Sequence, residues 1–355
     1  MKKILTSVAL LALLLSGCSR DERTDLNLSG GVFVVNEGPY SNGSGSISFL
    51  KKQPLSAEND LFGRVNNRPV GSVPNSMTLH NGKGYIVINN SGRVEIVNAS
   101  TLATEGNIPN LLQPRYMVCS GNTGYVSEWG ATASDGSVAV VDLISKTVTR
   151  RINTGVDAEA MLLVGNKLWV CNSSYSFGAI NDNRVAVIDL ASNTVSSHIT
   201  VGDAPYDLVQ DGNGAIWVLC KGKKVYDANF NLDLTASTAA SLVRINASTL
   251  AVEQTLTFAD KSDSPDDLEV ARSGQQVFFN TFAGVFAVPV SSTALPTTPL
   301  FRGNFYALGV DPSDGLIYAA DPRNYQSEGF VYRFNTNGAK QDSVRVGQIP
   351  TFFVF

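Results

Sequence analysis

The chain is sparing with the side chains that most often carry chemistry: its 355 residues include two histidines and four cysteines. His80 stands beside a tight turn and His198 in an outer strand, so neither a histidine-rich metal site nor a Ser-His-Asp relay is easily assembled. Both are expected at the surface. The acidic pairs Asp266-Asp267 and Glu159 with Asp207 could hold a hard cation or exchange protons. Carboxylates at strand ends more often cap backbone amides, and that is the expectation for these. Cys119, Cys171 and Cys220 have no CxxC spacing. They are expected as buried free thiols, with one bridge between two of them as the alternative in an oxidising compartment. No EF-hand loop, P-loop or GxGxxG stands in a convincing context. No metal site and no required cofactor are therefore expected. A quinone cofactor draws little support from three tryptophans without an adjacent cysteine pair. A net charge of -4 argues against nucleic acid, which needs a basic face.

The elements that must position any site follow from a repeat. The segments RVAVIDLASNTVSSHITVGDAPYDL from Arg184, GSVAVVDLISKTVTRRINTG from Gly136, GRVEIVNASTLATEGNIPN from Gly92 and SLVRINASTLAVEQTLTF from Ser241 share one plan. An apolar strand ends at Asp189, Asp142, Asn98 or Asn246, whose short side chain can bond nearby backbone in a turn, and a second strand follows. Pro74, Pro114, Ala158, Pro205, Pro265, Phe305 and Pro350 each precede by three residues an apolar position: Met77, Met117, Met161, Leu208, Leu268, Leu308 and Phe353. After each of the first six comes a turn and a strand opening with Tyr85, Tyr125, Trp169, Trp217, Phe278 or Tyr318. A period of about forty to fifty residues is the signature of propeller blades. The expected fold is all-β, a seven-bladed β-propeller. GVFVVNEG near the start matches a second strand without a first, and the terminal IPTFFVF a first strand without the rest, so one blade is expected to pair the two ends and close the ring.

Turns between first and second strands are short, as are those between third and fourth. Connections between second and third strands are long: NEGPYSNGSGS from Asn36, EWGATASDGS from Glu128, NSSYSFGAINDNR from Asn172, CKGKKVYDANFNLDLTASTAAS from Cys220 and DPRNYQSEG from Asp321. Long irregular loops in a compact domain tend to be functional. This face is the candidate binding surface. Its candidate ligand-contacting residues are Asn36, Glu37, Tyr40, Glu128, Trp129, Tyr175, Asp321 and Tyr325 from the loops. Asn75, Arg115, Tyr116, Glu159, Tyr206, Asp207, Asp266, Asp267 and Tyr306 join them from positions just after the strand anchors. Aromatic planes with amides and carboxyls suit a flat polar ligand or another protein.

Ahead of the repeats, Lys2 and Lys3 precede an apolar run over residues 4–15, a signal peptide too short to span a membrane. Leu15-Ser16-Gly17-Cys18 resembles the lipobox of bacterial lipoproteins, which implies cleavage after residue 17 and lipidation of Cys18. The expected organisation is a signal peptide over residues 1–17, a flexible tether over 18–29 and the propeller over 30–355. Ser19-Arg20-Asp21-Glu22 resembles the surface-export tag of some Gram-negative lipoproteins. The expected location is the outer membrane, facing the exterior, with the periplasmic face as the alternative.

The blade pattern resembles the YVTN-repeat (YncE-like) propellers over essentially the whole expected mature chain, with a long insertion before Ser241 and a degenerate blade after Pro265, and GVFVVNEG followed by NGSGSISFL is similar to the start of the BtuG-type surface lipoproteins. That resemblance implies a ligand held against one face of the disc, cobalamin or a similar large cofactor, with a TonB-dependent outer-membrane transporter as partner. It supplies no catalytic residues. A protein- or glycan-binding surface module, and a propeller enzyme of lactonase or quinoprotein type, stand beside it as alternatives, with binding expected over catalysis.

Overall fold

In a computed structural model that describes residues 28–40, 45–132, 134–174 and 181–355, the chain folds into seven antiparallel sheets arranged in a ring. The innermost strands are Pro74–His80, Pro114–Ser120, Ala158–Val164, Pro205–Gln210, Asp266–Val270, Ala307–Val310 and Pro350–Val354. They define blades 1 to 7 in that order, and each contacts the inner strands of its two neighbours. Five of the seven begin at the expected anchor; those of blades 5 and 6 begin one and two residues after Pro265 and Phe305. Blade 7 joins Pro350–Val354 to Val32–Asn36, then to Ser46–Lys52 and Leu55–Glu58. Phe353 lies opposite Val34, so the two ends of the sequence share one sheet and the ring has no open edge between first and last blade.

Alternation along the strands sends one set of side chains into each of the gaps between blades. Seven apolar clusters result, one per gap. The aromatic that opens the second strand of blades 1 to 6 is buried in every case, and Trp169, Trp217, Phe278 and Tyr318 are wholly enclosed. Filling these gaps with large rings contributes roughly 1.5–3 kcal/mol per side chain.

Two features depart from the repeat. Blade 5 has three strands among the described residues, ending with Gly284–Pro289. The following SSTALPTTP contains Pro296 and Pro299, which lack the amide donors a fourth strand needs. A short helix, Leu61–Asn66, links blades 7 and 1 and buries Leu61 and Phe62 in the gap between them. No described helix is long and apolar enough to cross a membrane.

Candidate functional site

The site begins with a backbone irregularity repeated around the ring. In six blades the pairing of the inner strand breaks just after its first residue: between Pro74 and Ser76, Pro114 and Met117, Ala158 and Met161, Pro205 and Asp207, Asp266 and Leu268, and Pro350 and Phe352. A bulge of this kind re-aims a side chain. The residues it frees are Asn75, Arg115, Tyr116, Glu159, Ala160, Tyr206, Asp267 and Thr351. The preceding residue sits in the left-handed region in five blades: Val73 (φ 58°), Gln113 (51°), Asp157 (47°), Ala204 (53°) and Ile349 (53°). For β-branched Val73 and Ile349 this is a strained conformation. Each of these five carbonyls accepts a bond from the amide just beyond the second strand, those of Asn89, Trp129, Ser173, Lys221 and Glu37, at 2.8–3.2 Å. In blades 2, 4 and 7 the same turn thus brings an inner-strand side chain and the one just beyond the second strand together at the channel mouth.

They enclose a cavity of about 260 Å³ lined by Glu37, Asn75, Arg115, Tyr116, Trp129, Tyr206, Lys221, Asp266, Asp267, Tyr306 and Thr351. Nine of these are among the residues the sequence nominates. Lys221 and Thr351 are not, although their signal was present: Lys221 follows a second strand as Glu37 and Trp129 do, and Thr351 follows Pro350 as Asn75 follows Pro74.

Both cations of the cavity are neutralised and stacked. Arg115 pairs with the fully buried Glu159 at 2.8 Å and lies 4.2 Å from the Trp129 ring centre, while the Trp129 indole N–H donates to the other Glu159 oxygen at 2.5 Å. Burial opposes the charge on both partners; Glu159 nevertheless holds Arg115 firmly protonated, and its own carboxyl is raised by that burial with Arg115 pulling the other way. Lys221 pairs with Asp266 at 2.6 Å and sits 3.8 Å from the Tyr206 ring centre. Tyr306 donates to Glu37 at 3.0 Å and meets Tyr325 edge-on at 5.7 Å. Burial raises the Glu37 carboxyl, partly offset by the Tyr306 bond. Burial likewise holds the phenols of Tyr116, Tyr206 and Tyr306 as protonated donors.

Of the four carboxylates expected to cap amides, Asp207 and Asp267 do so and bridge blades, whereas Glu159 and Asp266 are engaged by the side chains of Arg115 and Lys221. Asp207 accepts from the Leu208 and Leu268 amides at 2.8 and 2.7 Å, and Asp267 from the Leu308 amide at 2.6 Å. Burial drives Asp207 up to about 6 and Asp267 well above the ordinary carboxyl range, and the nearby Asp266 charge adds to both. Deeper in the same wall, burial raises Glu269 in the same direction.

The remaining nominated residues lie elsewhere. Asn36 and Glu128 are fully buried behind the cavity: Asn36 bonds Ser46 and Ser48, and Glu128 holds Arg151, Ser137 and the Leu112 amide. Asp321 caps the Arg323 amide in its loop. Tyr40 stands 73% exposed on the same face. Tyr175 and Cys18 fall outside the described residues. His80 and His198 bond the carbonyls of Gly121 and Thr154, away from the cavity. Cys119, Cys171 and Cys220 are unbridged. Burial pushes Cys119 and Cys220 up to about 12, and Cys171 also upward, which keeps them from acting as thiolates. Among the described residues no cluster of three or more His, Cys, Asp or Glu could hold a metal ion.

A family model described as a domain of unknown function, DUF5074, matches residues 30–266. The chain belongs to the DUF5074 family. No curated protein sequence matches this DUF5074 chain. Its fold is similar to solved propellers of low identity. A quinoprotein alcohol dehydrogenase-like protein from Bacteroides thetaiotaomicron aligns at TM-score 0.66 and 15% identity over 93% of this chain and 79% of that one. The periplasmic gluconolactonase of Pseudomonas aeruginosa gives 0.65 and 14% over 92% and 98%. Hydrazine synthase of Kuenenia stuttgartiensis gives 0.60 and 15% over 79% and 88%. These names describe unlike chemistries on one scaffold, so for the DUF5074 chain the likeness establishes the fold and leaves function to the site.

Proposed function

We propose that this DUF5074 protein is a lipid-anchored binding propeller whose channel mouth holds a neutral ligand rich in hydroxyl and amide groups without transforming it. The observation that carries the reading is the state of the cavity's charges. Each cation is bound to a carboxylate and covered by an aromatic ring. Carboxyls then outnumber cations, so the wall is a poor cradle for phosphate or another anion. What it offers are tyrosine hydroxyls, the Asn75 amide, the Thr351 hydroxyl and the carboxyls of Glu37 and Asp267, a donor and acceptor set suited to hydroxyls and amides.

A cavity of about 260 Å³ lies below the ~300–1,000 Å³ of pockets that engulf drug-sized ligands. It would admit one sugar ring, or one amide-bearing edge of a larger cofactor such as cobalamin resting on the rim. The rim favours the second source in one respect: Tyr40, Tyr226, Phe230, Phe282 and Tyr325, the exposed aromatics among the described residues, all lie on this face. Under either source, Cys18 would supply the lipid anchor at the outer membrane and a TonB-dependent transporter would receive the ligand.

Calorimetric titration with cyanocobalamin and with neutral oligosaccharides tests the reading. One of the two classes binds, and Tyr306→Phe, which removes the bond to Glu37, weakens it about tenfold, the equivalent of ~1.4 kcal/mol. Absence of heat with both classes at millimolar ligand refutes it, and lactone hydrolysis by the purified protein reassigns the cavity to catalysis. Cys18→Ser should release the protein from the membrane fraction, and protease added to intact cells distinguishes exterior from periplasmic display.

A further inference from the structure

Trp129 belongs to two depressions at once. Besides walling the mouth cavity, it borders an open groove of about 530 Å³ on the same face, together with Tyr40, Asn89, Asn90, Leu112 and Gln113. The two compartments differ in chemistry. The cavity is lined by five carboxyl, ammonium or guanidinium side chains; the groove is lined by no Asp, Glu, Lys, Arg or His.

The groove is preformed. Its floor is tied by backbone bonds from Leu111 to Gly92 (3.0 Å), Gly130 to Leu112 (3.1 Å) and Trp129 to Gln113 (3.2 Å). Gly92 (φ 58°) and Gly130 (φ 96°) allow this close approach, since a Cβ at either would lie 2.9 Å from the Leu111 carbonyl or 2.7 Å from that of Asp135. The indole is fixed by Glu159 and Arg115. Above this rigid floor Tyr40 is 73% exposed and Leu112 36% exposed, apolar surface left in water beside three side-chain amides. Aromatic faces with amide donors and acceptors match the two surfaces of a sugar ring, apolar C–H face and hydroxyl edge.

We infer that the site has two compartments and that its ligand is a neutral oligosaccharide, one unit entering the mouth cavity while the following units cross Trp129 and lie against Tyr40. This rests on the neutral-ligand reading above and narrows it to one source. A chain of sugar units is the neutral ligand that fits a compartment sized for one ring and continues through a single aromatic gate into an uncharged groove.

The test is the dependence of affinity on chain length. Wild type, Tyr40→Ala and Tyr306→Phe are titrated calorimetrically with cello-, malto-, manno- and xylo-oligosaccharides of one to four units and with cyanocobalamin. In at least one series wild-type affinity rises about tenfold or more from one unit to three. Tyr40→Ala keeps the one-unit affinity and loses that gain, whereas Tyr306→Phe weakens every length by the same factor. An unchanged melting curve for Tyr40→Ala confirms that its exposed side chain acts on ligand alone. Affinity that is flat with length, or Tyr40→Ala weakening one unit as much as three, overturns the second compartment. Binding of cyanocobalamin with no response to any sugar overturns the oligosaccharide and leaves the neutral-ligand reading standing; silence toward both removes the two together.

Discussion

The two faces of the disc are built from the same strands and solve opposite problems. On the short-turn face the Asp or Asn at the end of the third strand of blades 1 to 4 is satisfied within its own turn. Asp142, Asp189, Asn98 and Asn246 each accept amides two or three residues on, and Leu102, Lys146, Asn193 and Leu250 take the left-handed conformation at the same position of their turns. On the long-loop face the bonds run between blades: Asn75 to the Arg115 carbonyl, Asn89 to that of Pro114, Asp207 to Leu268, Asp267 to Leu308. The turns of the first face repeat because these capping bonds are local, while His80 and Lys146 add bonds to carbonyls of the neighbouring blade. The second can vary from blade to blade because each side chain answers to a neighbour, and it gathers buried charges that a local turn would leave in water.

Four experiments bear on this contrast. The largest effect belongs to the ring that both faces share. Removing residues 350–355 takes away the inner strand of blade 7 and strips Val32–Asn36 of a partner. The truncated protein should lose its cooperative thermal transition by circular dichroism; a melting curve like that of the full chain would sink the closure argument.

Next comes the buried pair. Glu159→Ala strands Arg115 in the wall and should cost about 3–5 kcal/mol in urea unfolding. The double replacement Arg115→Met with Glu159→Leu should recover most of that stability and still abolish ligand binding, because the pair orients Trp129 rather than holding the blades. Stability unchanged in the single variant would show that the pair is not desolvated.

The two faces should also respond to pH with opposite sign. Burial raises the carboxyls of Glu37, Glu159, Asp207 and Asp267, that of Asp207 up to about 6 from an ordinary 3.8, so at these groups the folded state binds protons more tightly than the unfolded. For Asp207 the favourable contribution is complete below about pH 4 and is lost as pH rises through about 6. Turn carboxylates such as Asp142 and Asp189 are lowered by bonds from following backbone amides and, at Asp189, also from the Ser192 hydroxyl; their contribution is lost only on further acidification. Resistance to urea should therefore increase from pH 7.5 to pH 5, and Asp207→Asn should flatten that limb. A limb unchanged in Asp207→Asn would remove this carboxyl from the account.

The smallest effect is expected on the repetitive face. Asn246→Ala removes the two amide bonds of one turn, those of Ser248 and Thr249, and should cost about 1 kcal/mol with ligand binding untouched. A change in affinity would mean that the faces are coupled.

Much of the fold was legible because its determinants are periodic. Strand alternation, the turn residues and the aromatic opening each second strand recur at nearly fixed intervals, and the structure places those aromatics in the gaps between blades. The helix Leu61–Asn66 was not, since it occupies a connection where the repeat says nothing, and the three-stranded form of blade 5 showed only as a degenerate repeat after Pro265. The cavity was half legible. Offsets from the anchors pointed to Asn75, Arg115, Tyr206 and Tyr306, but loop membership alone could not separate Glu37, which faces the cavity, from its neighbour Asn36, which is wholly buried behind it. Successive strand residues face opposite ways, so the last residue of a second strand and the one after it part company.

The sequence by itself determined the number of blades, the shared closing blade and the face that carries long loops, because these follow from local pattern and spacing. Which side chains meet was decided by tertiary structure. Arg115 and Glu159 are separated by a whole blade in sequence, as are Lys221 and Asp266, and Tyr306 and Glu37 lie near opposite ends of the chain. Only closing the ring brings them to one mouth, where burial gives each charge the partner that its position in the sequence does not reveal.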